Sequence, residues 1–186
     1  MKKRLWAIPC MLMAAMCLAL LSACGGPSVE ELIREDLTTA FEEISPEDEN
    51  LVNAMVDSSG DGFDQLGIDP QDFATEYLDG FEYEIKDIAV DEEAGTAEAT
   101  VAVKMKSLTA IMSKFGKSFQ EFASNLDVSS DQSEEEVYAQ AGELLMDAVG
   151  ETEPSETDCV FTYTKAEDNS WSATEDTETE ILKAMQ

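Results

Sequence analysis

The side chains available for chemistry are mostly carboxylates: the 186 residues include 41 Asp and Glu, 11 Lys and Arg and no histidine, for a net charge of −30. Without histidine the chain lacks the commonest general base at neutral pH and the commonest transition-metal ligand. One carboxylate spacing is suggestive. In Asp57-Ser58-Ser59-Gly60-Asp61-Gly62 the oxygen ligands Asp57, Ser59 and Asp61 hold the first, third and fifth places of a twelve-residue calcium loop, with glycine at the sixth. The pattern then fails, because Ile68 stands at the twelfth place, where a bidentate glutamate is required, and Asp64 at the eighth. Ser, Gly and Asp are also the residues of an ordinary turn. No metal is therefore expected, and a calcium-binding surface protein is kept as an alternative. Serine-nucleophile, phosphate-loop and paired-cysteine motifs are missing, so no catalytic set is expected and no cofactor is implied. Tyr77, Tyr83, Met112 and Tyr163 would line the mouth of a pocket if the fold opened one. Core packing is the simpler expectation for them, since each lies on an apolar face.

The cysteines sort by position. Met1-Lys2-Lys3-Arg4 is followed by an uncharged run from Leu5 to Ala23, a charged segment and an apolar one in the order of an export signal. The run approaches the ~20 residues needed to span a bilayer. Pro9 interrupts it, however, and small residues gather at its end. Those residues, Leu21-Ser22-Ala23-Cys24, resemble the lipobox of bacterial lipoproteins at all four positions. The resemblance implies a diacylglyceryl group on the Cys24 thiol and cleavage between Ala23 and Cys24. It implies residues 1–23 as signal peptide, residues 24–27 as a lipidated tether, and attachment to the outer face of a membrane. Physically, each buried methylene contributes ~0.8 kcal/mol, and two or more acyl chains anchor stably where one does not.

Residues 1–23 carry three of the 11 basic residues and none of the 41 acidic ones, so the remaining 163 residues have a net charge of −33. That balance excludes nucleic acid as a partner, since no basic patch exists to neutralise phosphates. On the same resemblance Cys10 and Cys17 would leave with the signal and Cys24 would carry the lipid. Cys159 is then alone and is expected as a small buried residue in a strand. Stability has to come from a core rather than from disulfides, and 163 residues suffice for one.

The elements follow from hydrophobic period. Ser28 with Glu31 makes a capping box, and Val29, Leu32, Ile33, Leu37, Phe41 and Ile44 recur at helical spacing. Ser45-Pro46 predicts a second helix start, and Asp57 to Gly67 a polar loop. Asp69-Pro70 predicts a short third helix ending by Gly80. Tyr83 and Ile85, then Ile88 and Val90 after a phase slip, predict a bulged strand, and Ala97 to Met105 a second one. Leu108 to Leu126 and Ser133 to Gly150 predict a helical pair. Cys159, Phe161 and Tyr163 alternate in a third strand, Trp171 opens a fourth, and Ile181, Leu182 and Met185 predict a final helical turn.

The predicted fold is therefore α+β over residues 28–186 as a single domain, with helices packed on a curved antiparallel sheet of about four strands. Two hairpins, separated by a helical pair, build that sheet. Phe81-Glu82-Tyr83-Glu84-Ile85 into Thr96-Ala97-Glu98-Ala99-Thr100-Val101, with the later Phe161-Thr162-Tyr163-Thr164-Lys165 and Asp168-Asn169-Ser170-Trp171, resembles small envelope lipoproteins with a nuclear-transport-factor-like or cystatin-like cone. The resemblance bears on fold, whereas the anchor, the single compact domain and the missing catalytic set point to a membrane-tethered, non-enzymatic binding or interaction module with a protein or small-molecule partner. The alternative is a cone-fold enzyme using carboxylate and tyrosine acid–base chemistry. A carboxylate buried beside a tyrosine would favour the enzyme, and a cavity filled by Phe and Met the module. A transporter's substrate-binding lipoprotein fits poorly, because such proteins usually have two lobes.

Overall fold

A computed structural model of the protein describes residues 26–125, 133–174 and 176–186, and Ala23, Cys24 and Leu126 lie outside them. Described residues 26–45, 82–104 and 156–184 form one compact unit, and residues 46–81, 105–155 and 185–186 a second. No helix among the described residues is long and apolar enough to cross a membrane.

The first unit is built on the sheet. Strands β1 (Glu82–Asp91), β2 (Thr96–Met105), β3 (Ser155–Lys165) and β4 (Trp171–Ala173) lie in the order β1-β2-β3-β4 in an open antiparallel sheet. The predicted phase slip is a bulge at Lys86, between the pairs Ile85–Val101 and Asp87–Thr100. The bulge returns Ile88 to the same face as Ile85, so the apolar set stays together. Ala97, Ala99, Val101 and Val103 from β2 are buried, as are Cys159, Phe161 and Tyr163 from β3. Helix α1 (Val29–Glu42) starts at the predicted capping box, with the Glu31 amide donating to Ser28 Oγ and the Ser28 amide to Glu31 Oε2. It buries Ile33, Leu37, Ala40 and Phe41. The Phe41 ring stacks on Tyr83 at 4.8 Å and meets Phe161 edge-on at 5.8 Å, the two geometries that aromatic quadrupoles favour.

Because β4 is only three residues long, the first half of β3 needs another cover. Helix α7 (Asp176–Ala184) supplies it: the Val160 amide donates to Glu180 Oε2 at 2.8 Å and Lys183 Nζ donates to the Asp158 carbonyl at 2.8 Å. An edge that would otherwise invite another chain is closed by side chains.

The second unit is helical: α2 (Glu49–Ser59), α3 (Gly62–Leu66), α4 (Pro70–Tyr77), α5 (Leu108–Asn125) and α6 (Glu134–Gly150), with α6 packed against α3, α4 and α5. Two expectations are corrected. The second helix begins after Asp48 rather than at Ser45-Pro46, because the Asp48 carboxylate accepts from both the Asn50 and Leu51 amides. The segment 57–67 is largely helical rather than a loop, ending α2 and holding all of α3. Lys106 is 2% exposed, and its ammonium donates to the Glu76 carbonyl at 2.7 Å and lies 3.4 Å from the Glu76 carboxylate. It thus caps the carboxyl end of α4, where an unsatisfied carbonyl and the helix dipole both favour a cation.

Helix α6 approaches α3 so closely that it tolerates no side chain at Gly142. A Cβ there would stand 2.1 Å from the Leu66 carbonyl oxygen. Gly116, also helical, has nothing within 4 Å of its Cβ position. Gly142→Ala is therefore expected to destabilise by about 1–3 kcal/mol through overpacking, whereas Gly116→Ala should stabilise by about 0.5–1 kcal/mol through backbone entropy. Thermal melting of the two variants checks this, and equal shifts would remove the close-approach argument.

Candidate functional site

In the helical unit the close approach of α3 to α6 leaves a cleft of about 470 Å³ beside it. Gly67 adopts a left-handed conformation, φ +64°, and its amide bonds back to the Asp64 carbonyl while the Ile68 amide reaches Phe63. This turn ends α3 and delivers Leu66 and Ile68 to the cleft wall. Asp69 then caps α4 through its Oδ1, accepting from the Gln71 and Asp72 amides. Across from them α6 contributes Ala139, Gly142, Glu143, Met146 and Asp147. The lining is thus apolar in Leu66, Ile68, Ala139 and Met146, carries the four carboxylates Asp69, Asp72, Glu143 and Asp147, and has no lysine or arginine. Glu143 accepts from Gln140 Nε2 at 2.9 Å. Among the described residues, the carboxylates of Asp72 and Asp147 have no hydrogen-bond or ion-pair partner. A site of this size and mixed lining falls in the range of small-molecule clefts.

In the sheet unit the chemically unusual feature is a buried pair. Asp36, 8% exposed, lies on the inward stripe of α1, and the Tyr163 hydroxyl donates to its Oδ2 at 3.4 Å. Burial pushes the Asp36 carboxyl up to about 6, against a smaller opposing effect of the Tyr163 bond. The same burial, with Asp36 alongside, holds the Tyr163 phenol well above its ordinary range. Asp36 lines neither the helical cleft nor the depression of about 460 Å³ on the sheet unit, to which Thr162, Tyr163 and Thr164 contribute.

The residues singled out from the sequence divide between the two units. Tyr83 and Tyr163 belong to the sheet unit, and Tyr77 and Met112 to the helical one. Tyr77 is buried, stacked on Phe73 at 6.0 Å, and its hydroxyl has no hydrogen-bond partner among the described residues. Tyr83 is half-buried and stacks on Phe41. Met112 departs from the expectation of a buried apolar face: it is 56% exposed, because Ile111, one residue earlier on α5, takes the inward position. Asp57 and Ser59 lie in the last turn of α2, where the Ser59 hydroxyl donates to the Val56 carbonyl, and Asp61 follows at the start of α3. Among the described residues no three acidic or cysteine side chains come close enough to hold a metal ion. Cys159 is fully buried with Sγ 3.2 Å from the Glu180 carbonyl, and burial first, then Glu180, pushes its thiol up to about 11. It packs as an unreactive apolar group.

Two features escaped the sequence reading, although each left a trace. Asp36 falls three residues after Ile33 and four before Ala40, inside the apolar stripe of α1. Gly142 stands in the interior of an otherwise strong helix, a position that often marks close approach.

No protein-family model matches the chain, and no curated protein matches it. Among solved structures it is similar to a protein described as a candidate lipoprotein, YcdA of Bacillus subtilis subsp. subtilis strain 168, at 15% identity and a TM-score of 0.37. The likeness covers 86% of this chain and 47% of that one, so the chain spans about half its length.

The buried pair generates a pH test. Because the folded-state value for Asp36, about 6, lies above the ordinary 3.8, its contribution is intact below about pH 4 and is lost as pH rises through 6. The full loss is on the order of 3 kcal/mol. Asp36→Asn cannot ionise. Its melting temperature relative to wild type should therefore rise by several degrees between about pH 4 and pH 6 and level off above that. A difference that stays constant with pH would mean that Asp36 titrates as an ordinary surface carboxylate.

Proposed function

We propose that this protein is an exported lipoprotein, held on the outer face of a membrane by lipid on Cys24, whose folded chain is a non-enzymatic binding module. The observation that carries the anchor is the sequence Leu21-Ser22-Ala23-Cys24 directly behind an uncharged run and a basic start. The binding role is supported by the α3–α6 cleft, where an apolar wall adjoins carboxylates that form no ion pair among the described residues. With Gly25 to Pro27 as the whole tether, the folded chain rides close to the bilayer. Its net charge of −33 keeps it off anionic head groups.

A second reading, carboxylate–tyrosine acid–base catalysis, draws support from the Asp36–Tyr163 contact and the raised Asp36 carboxyl, since such shifts cluster at functional sites. Against it, Asp36 is 8% and Tyr163 1% exposed, and a catalytic acid has to reach its substrate.

Replacing the anchor cysteine tests the first reading directly. Cys24→Ala should accumulate as the unprocessed precursor and take up no labelled fatty acid, while the wild-type chain is shortened and labelled. Normal processing of the variant would overturn the anchor.

A further inference from the structure

We infer that the α3–α6 cleft takes a small organic cation: a single positively charged head carried on an apolar body. This rests on reading the folded chain as a binding module and names the ligand class of that module. The apolar side is supplied by Leu66, Ile68 and Met146, of which Ile68 is 7% exposed and forms part of the unit's core. The charge is supplied by Asp72 and Asp147 on opposite walls, both free of protein partners among the described residues. A bare metal ion does not suit the site, because no three carboxylates among the described residues converge closely enough to hold one. Charge spread around the rim of a concave surface suits a bulky head that contacts each wall in turn, while the apolar wall accepts the stem. An anion is excluded by the same rim, and by the net charge of −33 on residues 24–186, which also raises the local concentration of cations. The rim carboxylates are exposed, so their attraction is screened by salt and the apolar wall has to supply the selectivity.

The test uses the processed, lipidated protein in phosphatidylcholine nanodiscs with methyl-labelled Ile, Ala and Met, titrated with hexyltrimethylammonium and compared with empty discs. Saturable shifts at Ile68, Ala139 and Met146 are expected, with tetramethylammonium binding about tenfold more weakly for want of a stem. Hexanoate and calcium should leave these signals unmoved. Raising salt from about 50 mM to about 300 mM should weaken binding severalfold. Asp72→Asn combined with Asp147→Asn should weaken it about fivefold or more, whereas Glu84→Gln with Asp87→Asn, equal in charge but on the sheet, should leave it unchanged. The inference is overturned if tetramethylammonium or calcium binds as well as hexyltrimethylammonium, if the two double variants behave alike, or if the cleft methyls do not respond. Any of those results alongside an unlabelled Cys24→Ala precursor would remove the cleft ligand and leave the anchor standing. Cleft binding together with normal processing of Cys24→Ala would do the reverse.

Discussion

Repulsion among 41 carboxylates, with 11 cations to offset them, is the constraint to which the rest of the structure answers. The acids are placed where the backbone wants negative charge. Asp48 and Asp69 accept the orphan amides at the starts of α2 and α4, and Glu31 and Glu136 close the capping boxes of α1 and α6. Each such placement turns a repulsive charge into a favourable interaction with a helix amino end. The scarce lysines go to the opposite ends. Lys106 and Lys114 donate to carbonyls at or just beyond the ends of α4 and α6, and Lys183 to a strand edge. On the outer face of the sheet, Lys86 bridges Glu156 and Asp158 across the strands, and Lys104 pairs with Glu82. These exposed pairs contribute little energy one by one, yet they relieve the like-charge rows that strand pairing would otherwise set side by side.

Asp36 is the exception. It is the one carboxylate among the described residues that falls below a tenth exposed, and its partner is a neutral phenol rather than a cation. A structural role and a functional one make different demands on such a group. Burial without a cation costs stability at neutral pH and is tolerated only while the surrounding core is strong enough. Here that core is substantial: Phe41, Tyr83 and Phe161 pack in one aromatic cluster, and Val101, Phe161, Tyr163 and Trp171 are almost wholly inaccessible to water.

The cleft of the helical unit is a by-product of one backbone contact. Gly142 lets the carbonyl end of α3 rest on α6, and the groove beside that contact exposes an apolar wall between capping and surface acids. Its charge arises from residues that serve other purposes, as with Asp69 at the cap of α4. An acidic chain therefore reaches a carboxylate-rimmed apolar cleft without a dedicated acidic motif.

Most of the architecture was determined by the sequence alone. Capping boxes at Ser28 and Ser133, the Asp69-Pro70 start, the phase slip at Lys86 and the period-two runs of β2 and β3 are all local signals, and each element forms where its signal lies. The errors were local competitions that the pattern could not rank. Asp48 outcompeted Ser45-Pro46 because its carboxylate reaches two amides, and a glycine-rich stretch formed α3 because its residues had α6 to pack on. What only the tertiary structure decided was which side chains meet. Tyr163 finds Asp36 across 127 positions of chain, and Leu66 finds Gly142 across 76. Periodicity fixes which face of an element is apolar, but not which element covers it. A buried carboxylate and a cleft wall are both properties of that covering, and so neither was legible before the helices were packed.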